Sequence, residues 1–140
     1  MAKIVTKRTK YGNKKVVIAG ITFDSIKEGD IYLRLLELER RGVIRDLEIH
    51  PMWELQPKLT ETYIKHLKTK DKVCERTVLL PITYTADFSF WYGGEFKVVD
   101  VKISKVMLPK DYRLKKKMLR YVHGLEITEV YNIKDLDIYR

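Results

Sequence analysis

The pair Gly93-Gly94, set between two runs of apolar and aromatic residues, is the sequence feature that most constrains this fold. Two consecutive glycines accept the positive φ angles of a type I′ turn, so the pattern predicts a tight β-hairpin. Such a turn fixes the register, because Tyr92 must then face Glu95. Every cross-strand neighbour further from the turn follows by counting outward.

That register places two carboxylates side by side. Asp87 lies opposite Asp100 and Thr85 lies opposite Lys102, and residues two apart on a strand share a face. Like charges in these positions destabilise a ladder, and a cation between them reverses the sign of that interaction. Mg²⁺ takes carboxylate and water ligands, often with substrate phosphate oxygens. The constellation predicts metal-assisted phosphodiester hydrolysis. The alternative is an exposed sheet face on which Asp100 and Lys102 form a salt bridge.

The charge balance indicates the class of partner. The 140 residues fit one domain, and 28 Lys+Arg against 19 Asp+Glu give a net charge of +9. A compact basic domain is a candidate for a polyanionic partner, most commonly nucleic acid. The single cysteine, Cys74, leaves no intramolecular disulfide or Cys-based zinc site and favours a cytoplasmic location. Neither a signal peptide nor a membrane-spanning run is predicted.

Basic residues crowd the N-terminus, and residues 1–15 are predicted to form a basic arm that is either a phosphate-binding segment or a solvated tail. The arm residues that we expect to contact nucleic acid are Lys10, Lys14 and Lys15. A short hairpin is expected over residues 16–23. The capping-box pattern from Ser25 to Glu28 then predicts a helix that ends at Gly42. Taken alone, this pattern favours a capping role for Glu28.

The middle of the chain is less regular. Residues 43–55 predict two short strands or one strand broken at Pro51, and His50 beside that proline is interpreted as structural. Residues 57–75 form a charged insertion, with helical turns expected between residues 60 and 68. The alternation that follows predicts one long strand face directed at the core. That face consists of Tyr84, Ala86, Phe88, Phe90 and Tyr92, opposite Val99, Val101 and Ile103, and the carboxylates lie on the other face.

A second helix is predicted to begin at Pro109, with Leu114 and Tyr121 extending its apolar side. Its basic residues, expected to contact DNA phosphates, are Arg113, Lys115, Lys116 and Lys117. A closing strand is expected over residues 125–131, and the tail over residues 132–140 is expected to be either a short helix or a partner contact. The order of elements predicts an α/β fold in which helices flank a small mixed β-sheet.

With these residues laid out, the chain resembles the PD-(D/E)xK nuclease superfamily, and looks particularly like the small phage-encoded endonucleases related to Holliday junction resolvases. The segments come in the order that this family uses and leave residues 57–82 mostly unmatched. They are Lys10-Tyr-Gly-Asn-Lys-Lys15, Phe23-Asp-Ser-Ile-Lys-Glu28 with Tyr32 and Leu35-Leu36, Leu55-Gln-Pro-Lys58, Tyr84-Thr-Ala-Asp-Phe88, Val98-Val-Asp-Val-Lys102 and Tyr112-Arg-Leu-Lys-Lys-Lys-Met-Leu119.

The resemblance implies a restriction-endonuclease-like core and a set of active-site positions. The implied catalytic residues are Glu28, Asp87, Asp100 and Lys102. It further implies that Glu28, Asp87 and Asp100 bind Mg²⁺, for which Mn²⁺ can substitute. Lys115 or Lys117 of the second helix would add a side chain to the site. Asp100 stands where many relatives have glutamate.

The function that the resemblance implies is a Mg²⁺-dependent endodeoxyribonuclease that cleaves branched DNA, most concretely four-way junctions. A phage-encoded member would act in the host cytoplasm. Members of this group are symmetric dimers, and by analogy the N-terminal hairpin and first helix would form the dimer surface. Two alternatives stay open: a less structure-selective phage or restriction-type nuclease, and a non-catalytic nucleic-acid-binding module.

Overall fold

The structure, a computed structural model, describes residues 5–8 and 14–140 and has the predicted α/β architecture. Its elements in chain order are β1 (Val5–Arg8), β2 (Lys14–Ile18), β3 (Ile21–Phe23), α1 (Ile26–Arg40), β4 (Arg45–Ile49), β5 (Met52–Gln56), β6 (Leu59–His66), β7 (Asp71–Leu79), β8 (Ile82–Thr85), β9 (Phe88–Tyr92), β10 (Glu95–Val101), α2 (Lys110–His123), β11 (Ile127–Val130) and a 3₁₀ helix (Ile133–Ile138). Within the described ranges, neither α-helix has the length and apolar content needed to cross a bilayer.

A mixed four-stranded sheet in the order β11-β10-β9-β4 forms the centre of the molecule. β10 runs antiparallel to β9 and parallel to β11. Successive residues of a strand point to opposite faces, and the two faces of β10 enter different apolar clusters. Val99 packs with Leu35 of α1, whereas Val98 packs with Leu119 of α2. The sheet is therefore covered by a helix on each side.

The register predicted from the glycine turn is confirmed. Gly93 and Gly94 have φ angles of 57° and 80°, and Tyr92 pairs with Glu95. The ladder of β9 and β10 continues to the pair of Phe88 and Val99, one residue short of the two aspartates.

The long strand expected before the turn is broken at Ala86 and Asp87. The ladder with β10 stops at Phe88, so the predicted pairing of Thr85 with Lys102 is wrong. On its other edge the chain stays paired with residues 45–56, since Thr85 pairs with Met52 and the Ala86 amide donates to the Pro51 carbonyl at 3.0 Å. The backbone before the break is therefore paired with β5 but not with β10.

This break also reassigns the predicted core face. Tyr84 and Ala86 join the cluster that contains Val98, and not the cluster of Phe88. Ile103, which was expected opposite that face, is 85% exposed. The face that carries Asp100 is covered as well, because the second cluster packs on it.

The helix boundaries follow the predicted capping signals. The Ser25 hydroxyl accepts the Glu28 amide at 3.1 Å and begins α1, and Gly42 (φ 77°) follows the C-cap residue of that helix. α2 begins after Pro109 and buries Tyr112 and Leu119. Leu114 and Tyr121 are exposed, so their expected place on the apolar side of α2 is wrong. The buried residues Tyr112 and Leu119 are two helical turns apart and share one face of α2. Leu114 and Tyr121 lie on the opposite face of the helix.

The charged insertion is a β-hairpin, and the helical turns expected there are wrong. β6 and β7 pair antiparallel from Leu59↔Leu79 to His66↔Asp71. β-Branched residues alternate along β6 at Thr60, Thr62 and Ile64, a pattern typical of strands.

The described part of the N-terminal region is not an unpaired arm, because β1 pairs with β2 from Val5↔Val17 to Arg8↔Lys14. β2 also pairs with β3, which confirms the hairpin expected over residues 16–23. Lys10 lies outside the described residues. The closing strand and the short C-terminal helix are present as β11 and the 3₁₀ helix.

Candidate functional site

A cleft of about 550 Å³ opens where the N-terminus of α1, the end of β10 and the first turn of α2 meet. All four predicted active-site residues line it: Glu28, Asp87, Asp100 and Lys102. Lys115 lines the same cleft and Lys117 does not, so Lys115 is the one of the two α2 candidates that lies at the site. A larger cavity of about 740 Å³ lies against the outer side of α1, and none of the predicted site residues lines it.

The carboxylates of Asp87 and Asp100 each accept a hydrogen bond from a backbone amide at or next to the other aspartate. The Asp87 amide donates to Asp100 Oδ1 at 2.9 Å, and the Val101 amide donates to Asp87 Oδ2 at 2.7 Å. These side-chain bonds continue the hairpin beyond its last backbone pair. The two carboxylates are therefore adjacent, as the register predicted, although Asp87 itself lies just outside β9.

The second oxygen of Asp100 organises the lysine. Asp100 Oδ2 accepts the hydroxyl of Tyr84 and lies 3.3 Å from Lys102 Nζ. The same ammonium lies 3.6 Å from the centroid of the Tyr112 ring, within cation–π range. The salt bridge of Asp100 and Lys102 thus exists, but not on an exposed sheet face, since the two side chains are only 5% and 19% exposed.

The electrostatics of the cleft disfavour full ionisation. Burial, together with the charges of Asp100 and Glu28, raises the pKa of Asp87 to about 8. Burial also raises the pKa of Glu28, against the lowering effect of His50. Burial and the charge of Asp100 raise the pKa of Tyr84, which keeps its hydroxyl a donor. The site holds more carboxylate than its own cations neutralise, a condition that a divalent ion relieves.

Three potential ligand atoms converge beside the aspartate pair. One nitrogen or oxygen atom each from Glu28, His50 and Asp87 lies within 4.8 Å of the others. His50 Nε2 is 3.1 Å from Glu28 Oε1, and the His50 amide donates to the Asp87 carbonyl at 3.0 Å. Carboxylate oxygens with one imidazole nitrogen suit several divalent metals, so the donor chemistry fits a metal ion.

This group shares Glu28 and Asp87 with the predicted ligand set and differs from it in the third ligand. The third ligand is His50 rather than Asp100. The Asp100 oxygens accept hydrogen bonds from the Tyr84 hydroxyl and the Asp87 amide and form a salt bridge with Lys102. From the sequence alone, a structural role is expected for His50. Its contact with Glu28 bridges 22 positions, and its amide is held by the pairing of this strand with the Asp87 segment. The backbone φ of 53° at His50 is uncommon for a residue other than glycine, but it is visible only in the folded structure.

The predicted nucleic-acid-binding residues divide into distinct groups. Lys14 and Lys15 are exposed on β2, and Arg113 and Lys117 are exposed on α2. Lys116 is not free, because its Nζ lies 2.6 Å from Glu129 Oε1 of β11. Burial alone would raise the pKa of Glu129, but hydrogen bonds from Lys116, Tyr131 and Tyr112 lower it to about 2. Lys116 therefore ties α2 to the sheet.

Comparison with known proteins gives a family and no activity. The family model of DUF1064, described as protein of unknown function, matches residues 8–138. A search of curated proteins and a search of solved structures each found no match. Since the family model spans nearly the whole sequence, the chain belongs to the DUF1064 family.

Proposed function

We propose that this protein is a divalent-metal-dependent endodeoxyribonuclease of the PD-(D/E)xK type that cleaves branched DNA, most concretely four-way junctions. One observation carries the proposal. Glu28, Asp87, Asp100 and Lys102, which come from a helix and two separate strand ends, meet in one cleft of a domain with a net charge of +9. Carboxylates that can bind a metal ion, with a neighbouring lysine in a cleft, are groups suited to metal-assisted phosphodiester hydrolysis.

Glu28, His50 and Asp87 would hold the metal ion, because their ligand atoms converge. A bound divalent cation supplies Lewis-acid stabilisation of the negative charge that develops on a phosphodiester during hydrolysis. Asp100 positions Asp87 through the Asp87 amide and adds a buried negative charge behind it. An imidazole ligand suits Mn²⁺ better than Mg²⁺, so we expect both ions to support activity.

Lys102 is the group that we assign to charge stabilisation at the phosphate. Its ammonium is fixed by Asp100 on one side and by the Tyr112 ring on the other. A cation held in place before substrate arrives loses little entropy in the transition state, and it can orient the attacking water by hydrogen bonding.

The DNA would enter across the basic side of α2. Lys115 lines the cleft, and the exposed Arg113 and Lys117 lie on the same helix. Lys14 and Lys15 of β2 add positive charge, and Lys15 lies 4.0 Å from Asp24, which also lines the cleft. These side chains are suited to phosphate contacts that position a duplex without reading its sequence. A symmetric dimer would present two such clefts to the equivalent strands of a junction.

A junction-cleavage assay tests the proposal. A labelled four-way junction should be cut in Mg²⁺, at least as fast in Mn²⁺, and not at all in EDTA, whereas a linear duplex of the same length should be cut more slowly. Equal cutting of both substrates would indicate the less selective nuclease. Junction binding with no cleavage in either metal would overturn the proposal in favour of a non-catalytic binding module. Activity with Mg²⁺ alone would remove His50 from the ligand set.

Metal affinity should rise with pH. The pKa of Asp87 is about 8 in the folded protein, against 3.8 for an unperturbed aspartate, so below pH 8 an incoming cation must displace a proton from this carboxyl. We expect the apparent affinity for Mn²⁺ to increase by up to about tenfold per pH unit below pH 8 and to level off above it. Calorimetry in buffers of different ionisation enthalpy should detect about one proton released per ion near pH 6.5.

The same shift sets the sign of the metal-free stability. Because the folded pKa is raised, protonated Asp87 favours the folded state, and this contribution is lost as the pH rises from about 4 to about 8. Saturating metal should remove that loss in thermal melts. Asp87→Asn serves as the control, since it carries no proton to displace. Metal affinity of the wild-type protein that is independent of pH would contradict the raised pKa.

A further inference from the structure

The hairpin of β6 and β7, which we call the ribbon, extends away from both apolar cores. Every residue from Glu61 to Val73 is exposed, and neither core cluster contains a ribbon residue. A two-stranded hairpin without a core behind it is marginally stable. The ribbon therefore contributes little to the stability of the domain. Its length is better explained by a role in binding.

Positive charge is concentrated at the tip of the ribbon. Lys65 and Lys72 face each other directly across the two strands, a like-charge pair that opposes folding of the tip. Lys68 and Lys70 lie in the connecting turn. The single acid in this segment, Asp71, is engaged by His66 at 2.8 Å, and no ion pair joins the four lysines to other described residues. A polyanion at the tip would reverse the unfavourable repulsion.

The shape of the ribbon favours a nucleic acid over other polyanions. Eight strand residues span about 26 Å, and two strands lie about 4.8 Å apart, so a two-stranded ribbon enters a DNA major groove about 12 Å wide. Ile64 and Val73 form an exposed apolar pair behind the lysines. Such a pair is suited to sugar and thymine-methyl contacts inside a groove.

The ribbon is also connected directly to the candidate site. It grows out of the paired strands β5 and β8. β5 starts two residues after His50, and β8 ends two residues before Asp87. A duplex held by the ribbon would thus be held by the same two strands that lead into the cleft.

We propose that the ribbon is a DNA-binding arm whose lysine tip contacts a duplex outside the cleft. The inference rests on the proposed function only in taking DNA as the substrate, and its test measures binding without cleavage. The decisive variant changes Lys65, Lys68, Lys70 and Lys72 to Gln. The matched control changes Arg40, Arg41, Lys134 and Arg140, which are exposed and distant from the ribbon in sequence, by the same total charge.

Binding of fluorescent junction and linear DNA is measured by anisotropy in EDTA, between about 50 and 200 mM salt. The tip variant should bind at least about tenfold more weakly at the lowest salt, and its log–log salt slope should be shallower by about 2 to 4, because each lost phosphate contact removes about 0.9 from the slope. The control variant should keep the wild-type slope. Thermal melts of both variants should match the wild-type melt.

A second variant removes the tip without relying on individual charges. Residues 63–74 are replaced by Asn-Gly, so that Thr62 and Glu75, which pair in the ribbon, flank a two-residue turn. It should show the same loss of affinity and slope. Wild-type affinity in either variant would overturn the inference, as would a loss of affinity equal to that of the control. A change from dimer to monomer in light scattering, with the slope unchanged, would assign the ribbon to self-association.

Failure of this inference can be told apart from failure of the proposed function. If the wild-type protein binds DNA through the ribbon but never cuts it, the DNA-binding role of the ribbon is supported and the nuclease proposal is refuted. If the wild-type protein cuts junctions and the variant with the shortened ribbon binds DNA equally well, the DNA-binding role of the ribbon is refuted and the nuclease proposal is supported.

Discussion

Asp100→Asn is expected to lower the rate of junction cleavage by about 10²- to 10³-fold and to leave junction binding close to wild type. Asp100 accepts the Asp87 amide and the Tyr84 hydroxyl and neutralises Lys102. Asparagine keeps the shape but has one accepting oxygen instead of two, so one of these donors loses its partner. The negative charge behind Asp87 is lost as well. The exposed basic side chains that would contact phosphates are untouched.

Single-turnover rates at saturating metal measure this effect, and junction binding in EDTA reports that the variant is folded. Glu95→Gln is the matched control, because Glu95 belongs to the same strand and loses the same charge but is exposed and outside the cleft. A lost buried hydrogen bond lowers the free energy of unfolding by about 1–3 kcal/mol, which a thermal melt detects separately. Cleavage by Asp100→Asn at the wild-type rate would refute the proposed site.

Lys102→Met is expected to slow cleavage by about 10²-fold or more with little change in DNA affinity. The ammonium is already engaged by Asp100, so its contribution should come from the developing charge of the transition state rather than from ground-state binding. Methionine retains a long apolar stem against the Tyr112 ring, which limits the loss of packing. The expected signature is a fall in kcat with KM nearly unchanged.

Lys105→Met tests whether the effect belongs to the site. Lys105 also lies over a tyrosine ring, 5.5 Å from the centroid of Tyr131, but it does not line the cleft. The two variants remove the same charge. Equal loss of activity in both would show that net charge, and not the position of Lys102, is responsible. Metal affinity gives an independent readout: removing the cation beside Asp100 should strengthen binding of a divalent ion rather than weaken it.

Features governed by neighbouring residues were predictable from the sequence. The turn at Gly93 and Gly94 needs positive φ angles, which glycine accepts, and so it set the hairpin register without knowledge of the rest of the chain. The Ser25 hydroxyl reaches the Glu28 amide within a single turn of helix, and it set the start of α1. The proximity of Asp87 and Asp100 followed from that register.

Features governed by distant contacts were not predictable. The ladder with β10 ends at Phe88, while the pairing with residues 45–56, which lie far back in the sequence, continues through Ala86 to Thr85. The helical turns predicted between residues 60 and 68 are wrong because this segment pairs with residues 71–79, a cross-strand contact that local spacing does not reveal. His50 joins Glu28 and Asp87 because residues 45–56 pair antiparallel with residues 82–91, which places the His50 amide on the Asp87 carbonyl.

The pairing of Gln56 with Ile82 closes the body of the molecule beneath the ribbon. The residues beyond this pair are exposed from Glu61 to Val73, whereas the carboxylates are held by strands inside the body. A chain built in this way can lengthen, shorten or recharge its projecting segment while the chemistry inside stays intact. For the proposed nuclease, choice of substrate and rate of hydrolysis would therefore be separate targets for natural selection and for an engineer.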